Sequence, residues 1–209
     1  MDNFWESSWA NVDPKRINEY INKSNTSEDI IIKYLRQYNV KNVCDAGCGC
    51  GLYTCKLISF CFDVHAFDVS EHAIMITKEL LSHVHLEAKL KTASILDTGY
   101  KNEQFDGVIS KDVIDHMSKV SALKSVTELL RITKHGGIVI FTLDSLDEEY
   151  ITETHIVNTD GDFVYTDGKW KGMIFHPYTK ETVHDIIPKN VLTEIVNENG
   201  ELTVILNKI

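Results

Sequence analysis

Three glycines at alternate positions, Gly47, Gly49 and Gly51, lie in the run Asp45-Ala-Gly-Cys-Gly-Cys-Gly51, directly after the apolar stretch Val40 to Cys44. Alternating glycines after a strand let the backbone turn sharply and bring a ligand against main-chain N–H groups. A carboxylate, Asp68, ends the next apolar segment, Val64-His-Ala-Phe67, after a gap that suits one helix. Strand, glycine turn, helix, strand and terminal acid together describe a site for a nucleoside-bearing cofactor. The spacing narrows the choice. A dinucleotide fingerprint requires Gly-x-Gly-x-x-Gly, and Leu52 occupies the place of its third glycine. No Gly-Lys-Ser/Thr follows, which excludes a Walker loop.

The same window holds all five cysteines, Cys44, Cys48, Cys50, Cys55 and Cys61. Cys48-Gly-Cys50 lacks Cys-x-x-Cys spacing, and no second Cys/His pair completes a tetrahedral site, so no metal is expected there. In a strand and the following helix, these cysteines serve as small buried hydrophobes. An odd number argues against a disulfide framework.

The elements that must position the loop are legible from periodicity and punctuation. Asp13-Pro14 predicts a helix running to about Lys23, and Ser27-Glu-Asp begins another with an apolar face of Ile30, Ile31, Tyr34, Leu35 and Tyr38. Strands are expected at 42–45, 63–68, about 88–93, 104–110 and 138–143. Helices fall between them: one through Cys61, one capped by Ser70 to about Val84, and one from Lys119 to Thr133 ended by Lys134-His-Gly-Gly137. That alternation implies right-handed crossovers and a parallel sheet. From Thr154 to Phe175 short strands with turns at Asp160-Gly161 and Asp167-Gly168 form an inserted β element. A helix from Thr179 to Ile187, stopped by Pro188, precedes a hairpin across Asn199-Gly200 that ends the sheet antiparallel.

The composition fits one domain. The 209 residues suit a single α/β core, divided as an N-terminal helical cap at 1–40, a cofactor core at 41–144, an inserted β lid at 145–178 and a closing helix and hairpin at 179–209. A net charge of −10 disfavours a phosphate-backbone partner, so a small molecule is expected and nucleic acid is not. No apolar run reaches membrane length and the first residues do not resemble a signal peptide, which predicts a cytoplasmic chain. Monomer and homodimer both stay open.

With the loop, His65-Ala-Phe-Asp68-Val-Ser70, Phe105-Asp-Gly-Val-Ile-Ser110 and His135-Gly-Gly-Ile-Val-Ile140 in this order, the chain resembles the class I S-adenosylmethionine-dependent methyltransferases. It looks closest to their small-molecule branch. The resemblance implies a Rossmann-like sheet of seven strands, mostly parallel with the last reversed, and S-adenosylmethionine as cofactor with S-adenosylhomocysteine as product. It places Asp45, Gly47, Cys48, Gly49 and Gly51 against the methionine moiety and Asp68, with Val69, at the ribose. Ser94 and Ile95 inherit the adenine contact, because the acid that many relatives carry there is offset to Asp97. Ser110 and Lys111 border the sulfonium. A NAD-dependent oxidoreductase and a catalytically silent cofactor-binding module are the alternatives.

Methyl transfer needs a nucleophile about 3 Å from the methyl and in line with the breaking bond. A hydroxyl or ammonium acceptor also needs a base. Asp144, directly after the fifth strand, is well placed by the rule that open α/β sheets bind ligands at strand carboxyl ends. His116 and His176 are the other catalytic candidates. His176-Pro-Tyr178 lacks the asparagine and second proline of a nucleobase-methylating motif. At the start of the chain, Trp5, Trp9 and Tyr20 could cover the cofactor, with Arg16 binding its carboxylate.

Overall fold

The computed structural model describes residues 2–12, 27–189, 191–198 and 200–209. In chain order it contains α1 (Asp2–Ala10), α2 (Ile30–Gln37), β1 (Asn42–Ala46), α3 (Leu52–Ser59), β2 (Asp63–Asp68), α4 (Glu71–His83), β3 (Lys89–Thr92) and β4 (Phe105–Ser110). A short 3-10 turn (Ile114–His116), α5 (Lys119–Ile132), β5 (Thr133–Leu143) and α6 (Glu148–Thr152) follow. Then come the small strands β6 (His155–Val157), β7 (Phe163–Tyr165) and β8 (Ile174–Phe175), and finally β9 (Leu192–Glu198) and β10 (Glu201–Asn207).

The main sheet has seven strands in the order β3-β2-β1-β4-β5-β10-β9. The first five run parallel, while β10 is antiparallel to both of its neighbours. This is the Rossmann-like sheet with one reversed strand that the sequence implied. Side chains alternate across it. Val139, Phe141 and Leu143 face the layer containing α5, and Ile138 and Ile140 face the layer containing α2. Both faces are covered, as a parallel sheet requires. The strand order reverses between β1 and β4, which opens a crevice at the carboxyl ends of these strands, the topological switch point where such sheets bind ligands.

The helices begin where their caps dictate. The Asp29 carboxylate accepts from Ile32 N at 3.0 Å, and Ser70 Oγ accepts from Ala73 N at 3.0 Å. The helix expected from Asp13 lies outside the described residues. Two other expectations change. The segment expected as a helix from Thr179 to Ile187 forms one 3-10 turn, Thr182–Ile186, because Pro188 leaves too little length for a stable α-helix. Lys134-His-Gly-Gly137 does not form a helix terminus, since β5 begins directly at Thr133 and runs through it. Its register against β4 shifts between Phe105 and Gly107, and Gly136 N and Gly137 O bond to the backbone of Lys208 instead. The glycines thus mark a strand irregularity.

Gly137 is held there by close approach, since a Cβ on it would lie 2.6 Å from the Asp106 carbonyl oxygen and 2.9 Å from that of Lys134. These two are backbone oxygens, which cannot swing aside as the neighbouring Thr133 methyl could. Gly137→Ala is therefore expected to cost about 1–3 kcal/mol, read as a lower urea midpoint at unchanged m-value. An unaltered midpoint would show that β5 relaxes freely at this point.

The inserted strands form a separate antiparallel sheet, β6-β7-β8, joined by the two turns expected at Gly161 and Gly168. Its inner face carries Tyr165, Met173 and Phe175, against which Phe4 and Trp5 of α1 pack with Tyr150 of α6. The insertion and α1 thus meet over the crevice.

Candidate functional site

The loop between β1 and α3 owes its shape to three left-handed residues: Gly47 at φ +80°, Gly49 at +53° and Gly51 at +81°. Space is closed as well. A Cβ would meet Val113 Cγ2 at 2.5 Å from Gly47 and Trp9 Cζ2 at 2.8 Å from Gly49. The loop is then tied to the end of β2. Gly47 N and Cys48 N both donate to Phe67 O, at 2.8 and 3.0 Å, and Gly49 N donates to Asp68 Oδ2 at 2.9 Å. Asp68 Oδ1 accepts from Ser70 N at 2.9 Å. Each carboxylate oxygen of Asp68 has thus taken one N–H and retains acceptor capacity for a further donor. Burial raises the pKa of Asp68 above the usual carboxylate range, opposed by these N–H bonds.

Above this frame lies a cavity lined by Gly47, Gly49, Asp68 and Val69 at one end and by Ala93, Ser94, Ile95 and Leu96 along a side. Asp112, Val113, His116, Met117 and Ser121 line the far end, and Trp5 and Trp9 cover it. α1 is tied to the first turn of α4 by the Glu6 carboxylate on the His72 ring. One oxygen of Glu6 is buried without a partner, and its charge contributes to the raised pKa of Asp68. The cavity therefore offers an apolar slot and, at one end, a carboxylate with free acceptor capacity.

The far end is acidic and partly strained. Asp112 adopts φ +55°, unusual for a residue with a side chain. Its carboxylate accepts from Thr142 Oγ1 at 2.5 Å and from Lys111 Nζ at 2.5 Å. Burial works against the Lys111 charge, but Asp112, Glu201 and Asp144 outweigh it and raise its pKa. His116 Nε2 stands 3.8 Å from Asp144 Oδ2, which also accepts from the Tyr150 hydroxyl at 2.9 Å.

The candidate residues divide accordingly. Gly47, Gly49, Asp68, Val69, Ser94, Ile95 and His116 line the cavity, whereas Asp144 sits behind His116. His176 is buried with Nδ1 2.8 Å from Asp162 Oδ1 and does not border the cavity. Asp45 and Ser110 are buried supports: Asp45 accepts from Thr54 Oγ1 at 2.6 Å, and Ser110 Oγ donates to Ala46 O at 3.0 Å. Cys48 lies under the loop, its Sγ 3.9 Å from Thr77 Oγ1, and Gly51 starts α3. The Lys111 ammonium turns to Asp112. Arg16 and Tyr20 fall outside the described residues. Sequence reasoning missed Met117, Ser121 and Leu96, which carry no motif and reach the cavity only because of how the turns after β3 and β4 fold.

Trp9 packs on Gly49 and against the Ile76 and Leu80 face of α4. Were the cavity to hold the cofactor, this wall would contribute about 1–1.5 kcal/mol, and Trp9→Ala would weaken binding roughly tenfold through faster dissociation. Stopped-flow displacement measures this, and an unaltered off-rate would leave α1 a sheet cap with no hold on the ligand.

A seven-stranded sheet of this order, with a glycine loop after β1 and an acid ending β2, defines the nucleoside-binding architecture of class I methyltransferases. Residues 44–141 match the family model described as a methyltransferase domain. Among curated relatives, the chain is 28% identical over 134 residues to a glycine/sarcosine N-methyltransferase of Aphanothece halophytica, covering 60% of this chain and 48% of that one. It is 32% identical over 108 residues to a tRNA (carboxymethyluridine(34)-5-O)-methyltransferase of Arabidopsis thaliana, covering 51% and 25%. The chain thus spans about half or less of the curated relatives it matches. Among solved structures, a protein of Pyrococcus horikoshii superposes with TM-score 0.75 at 19% identity, covering 91% of this chain and 92% of that one. An S-adenosylmethionine-dependent methyltransferase from Clostridium acetobutylicum gives 0.67 at 17%, covering 95% and 93%. No helix among the described residues is long and apolar enough to cross a membrane.

Proposed function

We propose that this chain transfers the methyl group of S-adenosylmethionine to a small-molecule acceptor. The observation that carries this reading is one continuous cavity, bounded by Gly47, Gly49 and Asp68 at one end and by His116 at the other. In this proposal Asp68 accepts from the ribose hydroxyls, Ser94 and Ile95 flank the adenine, and the glycine loop holds the methionine end. Residues 41–144 form the cofactor core, 1–40 a cap, 145–178 a lid and 179–209 the closing hairpin of one domain. The net charge of −10 supports a small acceptor over a nucleic acid, and a cytoplasmic setting belongs to the same proposal.

The sulfonium supplies an activated methyl carbon, so the chain's own residues need only align the acceptor, exclude water and take a proton. Trp5 and Trp9 shield the cavity. His116 is the side chain best placed to receive the acceptor's proton, since it lines the cavity and Asp144 stands behind it to stabilise the imidazolium. A thiolate or enolate acceptor would not need it.

Calorimetry with S-adenosylmethionine and with NAD tests the cofactor half, and S-adenosylhomocysteine release across thiols, amines, phenols and carboxylates tests the transfer. Binding of S-adenosylmethionine with no detectable NAD binding is expected; tighter binding of NAD would make the chain an oxidoreductase. Tight cofactor binding without turnover on any class would favour a silent binding module.

A further inference from the structure

We propose that Asp115, His116 and Asp144 form a divalent-metal site on the acceptor side of the cavity, with a two-carboxylate, one-imidazole donor set suited to Mn²⁺, Fe²⁺ or Zn²⁺. One donor atom from each residue lies within 4.8 Å of the others. Proximity alone would not argue for an ion, because acidic groups cluster without one. The satisfaction of the individual atoms does.

Asp115 is fully buried, yet only one of its oxygens is engaged: Oδ2 accepts from Asp144 N at 2.7 Å, while Oδ1 has no partner. His116 is 8% exposed, and its Nδ1 is likewise buried and unpartnered. A buried carboxylate oxygen and a buried ring nitrogen left without partners are costly in a folded chain. Among the described residues, no lysine or arginine pairs with Asp115 or Asp144; the nearby Lys111 ammonium is taken by Asp112. A cation held between Asp115, Asp144 and the His116 ring, whose Nε2 faces Asp144 at 3.8 Å, would supply the positive charge that these two carboxylates lack. The supports expected behind metal ligands are present. The Tyr150 hydroxyl donates to Asp144, and Asp144 N holds Asp115. Trp5 sets its ring edge on His116 with centroids 5.2 Å apart, and Phe175 lies 5.8 Å away. Donors at about 2.0–2.2 Å from the ion require the side chains to draw inward, which the partly exposed Asp144 can do.

Three protein ligands leave coordination positions open toward the cavity that His116 lines. A hydroxyl acceptor ligated there would release its proton to solvent, the metal-bound His116 being no longer free to take it, and present an oxygen nucleophile to the methyl, with the demethylated cofactor leaving. That consequence rests on the methyl-transfer proposal; the site itself does not.

Metal binding is read directly, without turnover. Chelator-treated protein is titrated with MnCl₂ and free Mn²⁺ followed by electron paramagnetic resonance, with ZnCl₂ measured by competition against a chromophoric chelator. One equivalent is expected to bind, with affinity reduced at least tenfold in His116→Gln and in Asp144→Asn. Asp160→Asn, on the exposed β6–β7 turn, should leave it unaltered. Asp144→Asn and His116→Gln carry the test if Asp115→Asn does not fold. Failure of both ions to bind at one equivalent, or binding unaffected by His116→Gln, overturns the site and leaves the cofactor assignment standing.

Discussion

Asp68→Ala should weaken binding of the demethylated cofactor by roughly 100- to 1000-fold while the protein remains folded. Two charge-assisted hydrogen bonds from ribose hydroxyls to one carboxylate, at about 1.5–2 kcal/mol each, give that range. The structure adds a second route to the loss. Asp68 Oδ2 anchors Gly49 N and Oδ1 anchors Ser70 N, so removing the carboxylate frees the loop and the start of α4 together. Asp68→Asn separates the two effects, because its amide oxygen can still accept one N–H while the charge is gone. An intermediate loss, nearer the alanine value than the wild type, is expected. Calorimetry with S-adenosylhomocysteine, with thermal unfolding as a control on folding, reads both variants. An affinity within threefold of wild type in Asp68→Ala would remove Asp68 from the ribose.

The joining of the glycine loop to Asp68 at one end of the cavity was legible because it is written in local sequence. Alternating glycines followed by a strand-ending acid admit few backbone paths, and the structure joins the two through the Gly49 N to Asp68 bond. The sheet was legible for the same reason: buried parallel strands are short apolar runs, and their connections must cross right-handed. What could not be read depends on contacts distant in the chain. Gly136-Gly137 resembles a helix terminus locally, and only the approach of Asp106 and Lys208 from other strands makes it an irregularity within β5. His176 resembles a catalytic residue by type and neighbours, yet Asp162, fourteen positions earlier and on the far side of a turn, holds its ring. Asp115 was passed over beside His116, since nothing in its spacing reveals full burial with one oxygen unpaired. The acceptor end is assembled from the ends of β4 and β5, α1 and the inserted sheet, so no single window of sequence contains it.

Asp45→Asn is expected to stabilise the fold at neutral and higher pH while leaving it unaffected in acid. Asp45, the penultimate residue of β1 below the glycine loop, is almost wholly buried and receives a side-chain hydrogen bond from Thr54 Oγ1 at 2.6 Å. Burial pushes its pKa up to about 7, the Thr54 bond opposes this, and the Asp68 charge nearby adds to it. The ordinary value of such a group is near 4, so between about pH 4 and pH 7 the folded chain holds a proton that the unfolded chain has released. Stability contributed by this position therefore falls as pH rises through that window and stays low above it. About three pKa units correspond to roughly 4 kcal/mol, an upper limit, since the asparagine amide must find a partner of its own. A gain of about 2–3 kcal/mol at pH 8 and none at pH 4 is the expected pattern in urea unfolding, each variant compared with wild type at the same pH. Equal effects at both pH values would mean that Asp45 is ionised in the folded chain throughout. The same variant then tests function against stability. If the charge of Asp45 acts on the site through the glycine loop above it, the more stable protein should bind S-adenosylmethionine more weakly, with the deficit growing above pH 7 where wild-type Asp45 is ionised.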